Sequence, residues 1–97
     1  MLDKMKQVME MKRQADQLKK ELDAAHVTVE EVRGITITIN GSQKFKSIEI
    51  DEAKINAENK ASLEGDILKA VNAAIRQSQN VAAEKMKKLM PAGFPGL

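Results

Sequence analysis

Two periods of apolar and polar residues divide the chain. From Val8 the apolar positions continue through Met11, Ala15, Leu18, Leu22 and Ala25, spacings of three and four that fall on one face of an α-helix. Nothing interrupts the pattern before His26, so it predicts a first helix over residues 2–25. Leu2, Met5 and Met9 lie well round from that stripe and are expected to pack elsewhere or to face outward. After His26 the period falls to two. Val27-Thr28-Val29 and Ile35-Thr36-Ile37-Thr38-Ile39 alternate β-branched residues, with the isoleucines on one face and the threonines on the other. Asn40-Gly41 is a hairpin signal. On the return strand Ile48 and Ile50 are in phase and Phe45 is out of phase, which predicts a bulge near Lys46-Ser47 or a phenylalanine on the opposite face. The sheet is therefore small, two long strands with residues 27–29 as a candidate third. Its isoleucine face needs a helix over it, because an exposed apolar strand aggregates.

Residues 51–59 are polar, with room for one short turn and with Asn59 placed as N-cap of the next helix. Leu63, Ile67, Ala70, Val71, Ala74, Ser78, Val81 and Ala82 share one face, so a second helix is predicted over 60–90. Pro91 and Gly93 close it and leave residues 91–97 as a flexible tail. The expected fold class is α+β: a long helix, a small antiparallel hairpin sheet and a long C-terminal helix in a single domain, 1–97. A 30-residue helix is about 45 Å long, whereas a compact chain of about 100 residues spans only some 33 Å, from a radius of gyration near 13 Å. The second helix must project or be covered by another subunit. The apolar stripes left over point to a two-fold homodimer.

Composition narrows the function classes. Among 97 residues there are no Cys, Trp or Tyr and only two Phe, so no disulfide framework or thiolate site is available and the core is aliphatic. A reducing cytoplasm fits that usage. Charges of both signs recur through the first 22 residues and exclude the apolar core of a signal peptide. No uncharged run approaches the ~20 residues of a membrane span, and a soluble protein without a membrane partner is expected. His26 is the single histidine, read as a helix-end residue, so no triad or ligand cluster forms around it. Glu30-Glu31 and Asp51-Glu52 read as solvated connections without acid–base logic. The five glycines are scattered and make no phosphate loop. The six methionines suit adaptable helix packing. Hence no catalytic residue, metal, cofactor or small-molecule substrate is expected.

The net charge of +2 conceals an uneven distribution. Residues 1–20 hold six basic and three acidic side chains, residues 21–66 five and ten, and residues 67–97 five and one. Two basic ends thus flank an acidic middle. Lys6, Arg13 and Lys20 recur every seven residues opposite the Leu18 stripe, and Lys69, Arg76 and Lys87 form one line opposite Ile67 and Ala74. After Asp66 the only acid is Glu84. Lys85 and Lys88 fall inside the apolar stripe, where burial is costly, so the last turns are expected to stand clear of the body as a cationic tip. An ordinary solvated face accounts for any one of these lysines. Taken together, two basic arms on a dimer suit duplex DNA, whose phosphates reward Lys and Arg through counterion release. Scarcity of aromatic residues argues against single-strand and RNA platforms, and no helix-turn-helix or zinc spacing offers a base reader. Backbone contacts of low sequence specificity are expected.

The order of these elements, the Asn40-Gly41 hairpin, the strand ending Ile48-Glu49-Ile50-Asp51, the run Leu63-Glu64…Ile67…Ala70-Val71-Asn72…Ala74 and the Pro-Gly tail resemble the YbaB/EbfC family of bacterial nucleoid-associated proteins over essentially the whole chain. Gly34 stands alone where the family has a glycine cluster, and Gly65-Asp66 replaces an acidic-hydrophobic pair. The resemblance implies a tweezer-shaped homodimer whose protruding helices contact DNA, located in the cytoplasm on the nucleoid and without catalysis. Helix, hairpin, helix is also the order of a prefoldin-like chaperone subunit, and a generic protein-interaction scaffold is a third reading. Against the chaperone, the heptads are short and the tips are rich in lysine.

Overall fold

The computed structural model describes residues 2–89. Helix α1 (Leu2–Ala24) leads into strands β1 (His26–Val32), β2 (Ile35–Asn40) and β3 (Phe45–Ile50). Two 3-10 turns, Glu52–Lys54 and Ala57–Asn59, then precede helix α2 (Lys60–Leu89). The sheet is antiparallel in the order β1-β2-β3. The expected α+β layout of helix, small sheet and helix is what the chain adopts. The tail at 91–97 lies outside the described residues.

Several local readings change. The first strand runs well beyond Val27–Val29, and Glu30 and Glu31 belong to it rather than to a loop. A register shift between Val29 and Val32 lets it carry two consecutive acids and still return Val32 to the core side opposite Ile35. His26 opens this strand instead of ending the helix. A two-residue turn, Arg33-Gly34, joins β1 to β2, with Gly34 at φ +91°, a conformation that glycine adopts without strain. The polar connection holds two short turns, not one. The bulge on the return strand is where the phase predicted it: Ile39 pairs with Phe45 and Thr38 with Ser47, which leaves Lys46 unpaired.

The core forms on one face of the sheet. Ile35, Ile37 and Ile39 are fully buried against Ala70 and Ala74 of α2, with Val27, Val32, Ile50, Leu63, Ile67, Val71 and Ile75 around them. Helix α2 lies over β1 and β2 and runs in the same direction as β2, since Lys54, beside Gly34 at the start of β2, pairs with Asp66 and the end of β2 at Asn40 is bonded to Ser78. The register places Phe45, Ile48 and Ile50 on this same face, yet Phe45 is 42% and Ile48 48% exposed because α2 does not reach across β3.

One joint fixes where the helices meet the sheet. Asn40 is buried at the end of β2. Its side-chain oxygen accepts from the backbone N–H of Ser42 and of Lys44, 2.9 Å each, and its amide donates to the Asp23 carbonyl at 3.3 Å. The Ser78 hydroxyl donates to the Asn40 carbonyl at 2.7 Å. Next along the chain, the Gly41 N–H donates to the carbonyls of Leu22 and Ala25 at 2.9 and 3.0 Å, so the hairpin loop caps the C-terminus of α1. A Cβ at Gly41 would sit 3.0 Å from the Leu22 carbonyl oxygen and 3.2 Å from its Cα.

Two glycine substitutions should therefore act in opposite directions in urea or thermal unfolding. Gly41→Ala is expected to lose about 1–3 kcal/mol by forcing α1 off the hairpin. Gly65→Ala, at an exposed helical position with nothing within 4 Å of the new Cβ, is expected to gain about 0.5–1 kcal/mol.

Candidate nucleic-acid interface

The basic residues sit on two helices that leave the hub at one end. Ser78 is held at Asn40, so the last 11 residues of α2 continue past the sheet. Helix α1 arrives at that same point and packs on α2. Its inward side chains are Gln14, Leu18, Glu21 and Leu22, at helical spacing, while those of α2 beyond the hub are Val81, Ala82, Lys85 and Met86. The molecule is 68 Å long and 19 by 16 Å across, far longer than the ~45 Å of α2 alone, because α1 extends outward beyond the hub.

Handedness decides which side of α2 carries charge. The Asn40 N–H donates toward β3, to the Lys44 carbonyl, which fixes β3 on one side of β2 for L-residues with isoleucines facing α2. A right-handed helix parallel to β2 then turns Leu68, Val71 and Ile75 toward β3. Lys69, Arg76 and Lys87 lie on the opposite flank, above β1 and away from it. All three are exposed. On α1, Lys6, Arg13 and Lys20 are exposed on the side away from Leu18. A shallow hollow on this helix is lined by Met9, Lys12, Arg13, Asp16, Gln17 and Lys20. It adds Lys12, which the seven-residue spacing of the other three passes over.

Compensation is uneven. Arg13 pairs with Glu10 one turn back, both in solvent, which is worth a few tenths of a kcal/mol at most. Lys54 pairs with Asp66 at 3.2 Å and ties the second connection to α2. Among the described residues, Lys6, Lys20, Lys69, Arg76, Lys85, Lys87 and Lys88 make no ion pair. Lys87 and Lys88 occupy the last turn of α2, where the helix dipole favours cations.

Lys85 departs from the tip that the charge pattern predicts. It does not stand clear of the body but is half-buried with Val81, Ala82 and Met86, because α1 packs along this end of α2. The butylammonium chain suits such a site, with its stem covered and its head at the edge. Lys88 is exposed as expected. Val8 and Met11, assigned to the core stripe, are exposed, since the first three turns of α1 run past anything that covers them. Leu68, outside the predicted stripe, is 64% exposed beside the bare β3. A signal for it was present in the chain: Leu68, Ile75 and Ala82 repeat every seven residues as a second apolar line.

Among the described residues no three His, Asp or Glu side chains converge as metal ligands, and no helix is long and apolar enough to cross a membrane. The arrangement is a pair of cation-bearing rods on a small sheet. A family model described as the YbaB/EbfC DNA-binding family matches residues 1–94. The chain belongs to that family. Relatives called nucleoid-associated proteins include one from Moorella thermoacetica, 36% identical over 88% of this chain and 83% of its own length. Another, from Mycoplasmopsis pulmonis, is 32% identical over 92% and 87%. A third, from Thermodesulfovibrio yellowstonii, is 36% identical over 73% of this chain, which spans 66% of that relative's length, just under two thirds. Of a Caldicellulosiruptor saccharolyticus relative the match spans 56%.

Lys85 and Lys69 should separate in stability measurements. Lys85→Leu is expected to raise stability by about 0.5–1 kcal/mol, as a half-buried stem gains apolar contact. Lys69→Leu, on the exposed flank, is expected to stay within about 0.5 kcal/mol of the parent. Thermal unfolding of both variants checks the contrast.

Proposed function

We propose that the protein is a nucleoid-associated homodimer that binds double-stranded DNA through phosphate contacts from its basic helices, with low sequence specificity. The observation that carries this reading is the row Lys69, Arg76 and Lys87, exposed along one flank of α2 and without ion pairs among the described residues. These residues lie seven and eleven apart, roughly 10 and 16 Å along the helix. That spacing lets each reach a different phosphate, and each contact releases counterions. Lys6, Lys12, Arg13 and Lys20 on α1 and Lys88 at the end of α2 extend the positive surface along the arms; Lys85 contributes its head group alone. The arms would act on chromosomal DNA in a bacterial cytoplasm, as the names of the relatives suggest. No base-reading element is invoked, so sequence preference comes only from duplex shape.

The second subunit is inferred from the uncovered trough. Phe45 and Ile48 of β3 form its floor, and Leu68, Val71 and Ile75 of α2 form the wall beside it. A two-fold copy would bury both surfaces and set the two pairs of arms pointing out of one acidic hub, a tweezer shape. A chaperone-like or scaffold role is favoured by one feature, the exposed Met5, Val8 and Met9 near the tip of α1. Such residues suit an apolar client better than phosphate.

Salt separates these readings. Duplex affinity is expected to fall steeply between low and physiological salt, and replacing Lys69, Arg76 and Lys87 by Ala should reduce the log–log slope by about 0.9 for each phosphate that is no longer neutralised. An unchanged slope moves the contact surface elsewhere, and suppression of client aggregation with little salt response supports the chaperone reading. For the dimer, Ile48→Asp should convert a two-chain species to one chain in sedimentation. A parent protein that already sediments as a single chain overturns the homodimer.

A further inference from the structure

The end of α1 and the loop between β2 and β3 meet at Asn40-Gly41, a dipeptide with chemistry of its own. An asparagine amide followed by glycine is open to attack by the next backbone nitrogen, because no Cβ crowds that nitrogen. The Gly41 nitrogen loses its proton to water and bonds to Asn40 Cγ, the Cγ–Nδ2 bond breaks, and ammonia departs to leave a five-membered imide. Water then opens the imide at either carbonyl and yields aspartate or isoaspartate. The net change takes an amide and water to a carboxylate and ammonium, with no oxidant or further co-reactant.

The joint blocks that reaction. Both residues are buried. The Gly41 N–H lies between the carbonyls of Leu22 and Ala25, at 2.9 and 3.0 Å, which keeps its proton from water and its nitrogen from tilting toward Cγ. The Asn40 amide is fixed as well. Its oxygen accepts from the N–H groups of Ser42 and Lys44 at 2.9 Å each, and its nitrogen, the leaving group, donates to the Asp23 carbonyl at 3.3 Å. Leu22, Asp23 and Ala25 are the end of α1 and the residue that follows it. The guard is therefore α1, and it is weakly held. Among its described residues only Leu18 is buried, so swinging α1 off the hub exposes little apolar surface and belongs at the low end of opening free energies. That motion leaves the core of Ile35, Ile37, Ile39, Ala70 and Ala74 intact.

The product cannot restore the joint. An aspartate at position 40 keeps the hairpin loop closed, because the Ser42 and Lys44 N–H groups then donate to a charged oxygen, a stronger bond. Toward α1 the effect is reversed. A carboxylate only accepts, so an oxygen replaces the donor that faced the Asp23 carbonyl, with the Asp23 carboxylate kept nearby by the Ser42 hydroxyl. Isoaspartate adds one carbon to the main chain before Gly41 and carries its N–H away from Leu22 and Ala25.

We propose that Asn40 is a modification site gated by α1: detachment of this helix from the hub admits conversion to aspartate or isoaspartate, and the converted joint leaves α1 released while the hairpin and α2 stay in place. The paired helices are thereby loosened in one direction only. This inference does not depend on the DNA reading or on the dimer, since every group involved belongs to one chain.

Peptide mapping by mass spectrometry of the full chain, held folded at neutral pH, follows the conversion. Leu18→Ala is expected to speed it by about tenfold or more, as the one buried contact of α1 is weakened. Leu63→Ala loosens α2 near the opposite end of β2 and is expected to leave the rate within about twofold. Urea below the unfolding transition should raise the log rate with a slope well under the equilibrium m-value, since a local opening exposes only part of the surface. Gating by α1 is overturned by a folded-chain rate equal to that of the urea-unfolded chain, by a slope equal to the global m-value, or by equal acceleration in the two variants. It is also overturned if Leu18→Ala does not convert while the unfolded chain does. Hydrogen exchange of Asn40→Asp reads the consequence: amides of residues 14–24 are expected to exchange about tenfold faster or more, with those of β2 and of α2 over the sheet unchanged. Unchanged α1 amides, or protection lost throughout the chain, overturn the selective release.

Discussion

The width of one helix against the width of three strands constrains everything else. Strands lie about 4.8 Å apart, so a helix roughly 10 Å across covers two of them and not the third. Helix α2 sits over β1 and β2, where Ala70 and Ala74 let it come close to the buried Ile35, Ile37 and Ile39. Small residues at the contact allow that approach. What remains bare is β3, whose Phe45 and Ile48 point the same way as the core yet face solvent. The apolar trough follows from building a three-strand sheet with a single long helix above it.

The joint at Asn40 turns this packing into a shape. Its side chain closes the loop between β2 and β3, its amide holds α1, and its carbonyl takes the Ser78 hydroxyl of α2. A buried asparagine leaves no polar atom without a partner here, and leaving one unmatched would cost about 1–3 kcal/mol. The bonds specify where along α2 the sheet ends and where α1 begins to diverge from it. Eleven residues of α2 and the greater part of α1 are thereby committed to lying outside the hub. An elongated molecule results although every element is of ordinary construction.

Much of this was legible in the chain. Helix and strand periods located both helices to within a residue or two, and the phase slip at Phe45 located the bulge at Lys46. Less legible were features that depend on one element meeting another. The first strand looked shorter than it is because Glu30 and Glu31 break the alternation, and only the pairing with β2 shows that a register shift absorbs them. Asn40-Gly41 signalled a turn but not its second role at α1, which requires knowing that the helix ends there. Met11 and Val8 fit the helical stripe of Leu18, yet a stripe says nothing about how far its partner extends. Lys85 was misplaced for the opposite reason: its partner α1 extends further along α2 than the hub does. Of the basic residues, the exposure of Lys6, Arg13, Lys20, Lys69, Arg76, Lys87 and Lys88 was readable from helical geometry alone.

The contrast among the cations bears on what they are for. Lys54 is half-buried, meets Asp66 at 3.2 Å and holds a connection in place, so its charge has a use within the fold. Lys69, Arg76 and Lys87 are exposed, and no carboxylate among the described residues lies within ion-pair distance of them. Neighbours in that row are about 10 Å apart or more, close to the screening length at physiological salt, so they repel one another little in the free protein. An array of this kind costs the folded state almost nothing. It also returns nothing until a polyanion arrives, when the same spacing lets every charge act at once. The electrostatic design is thus separable from the folding design, and the outer flank of α2 carries it, from Lys69 and Arg76 above the sheet to Lys87 on the arm.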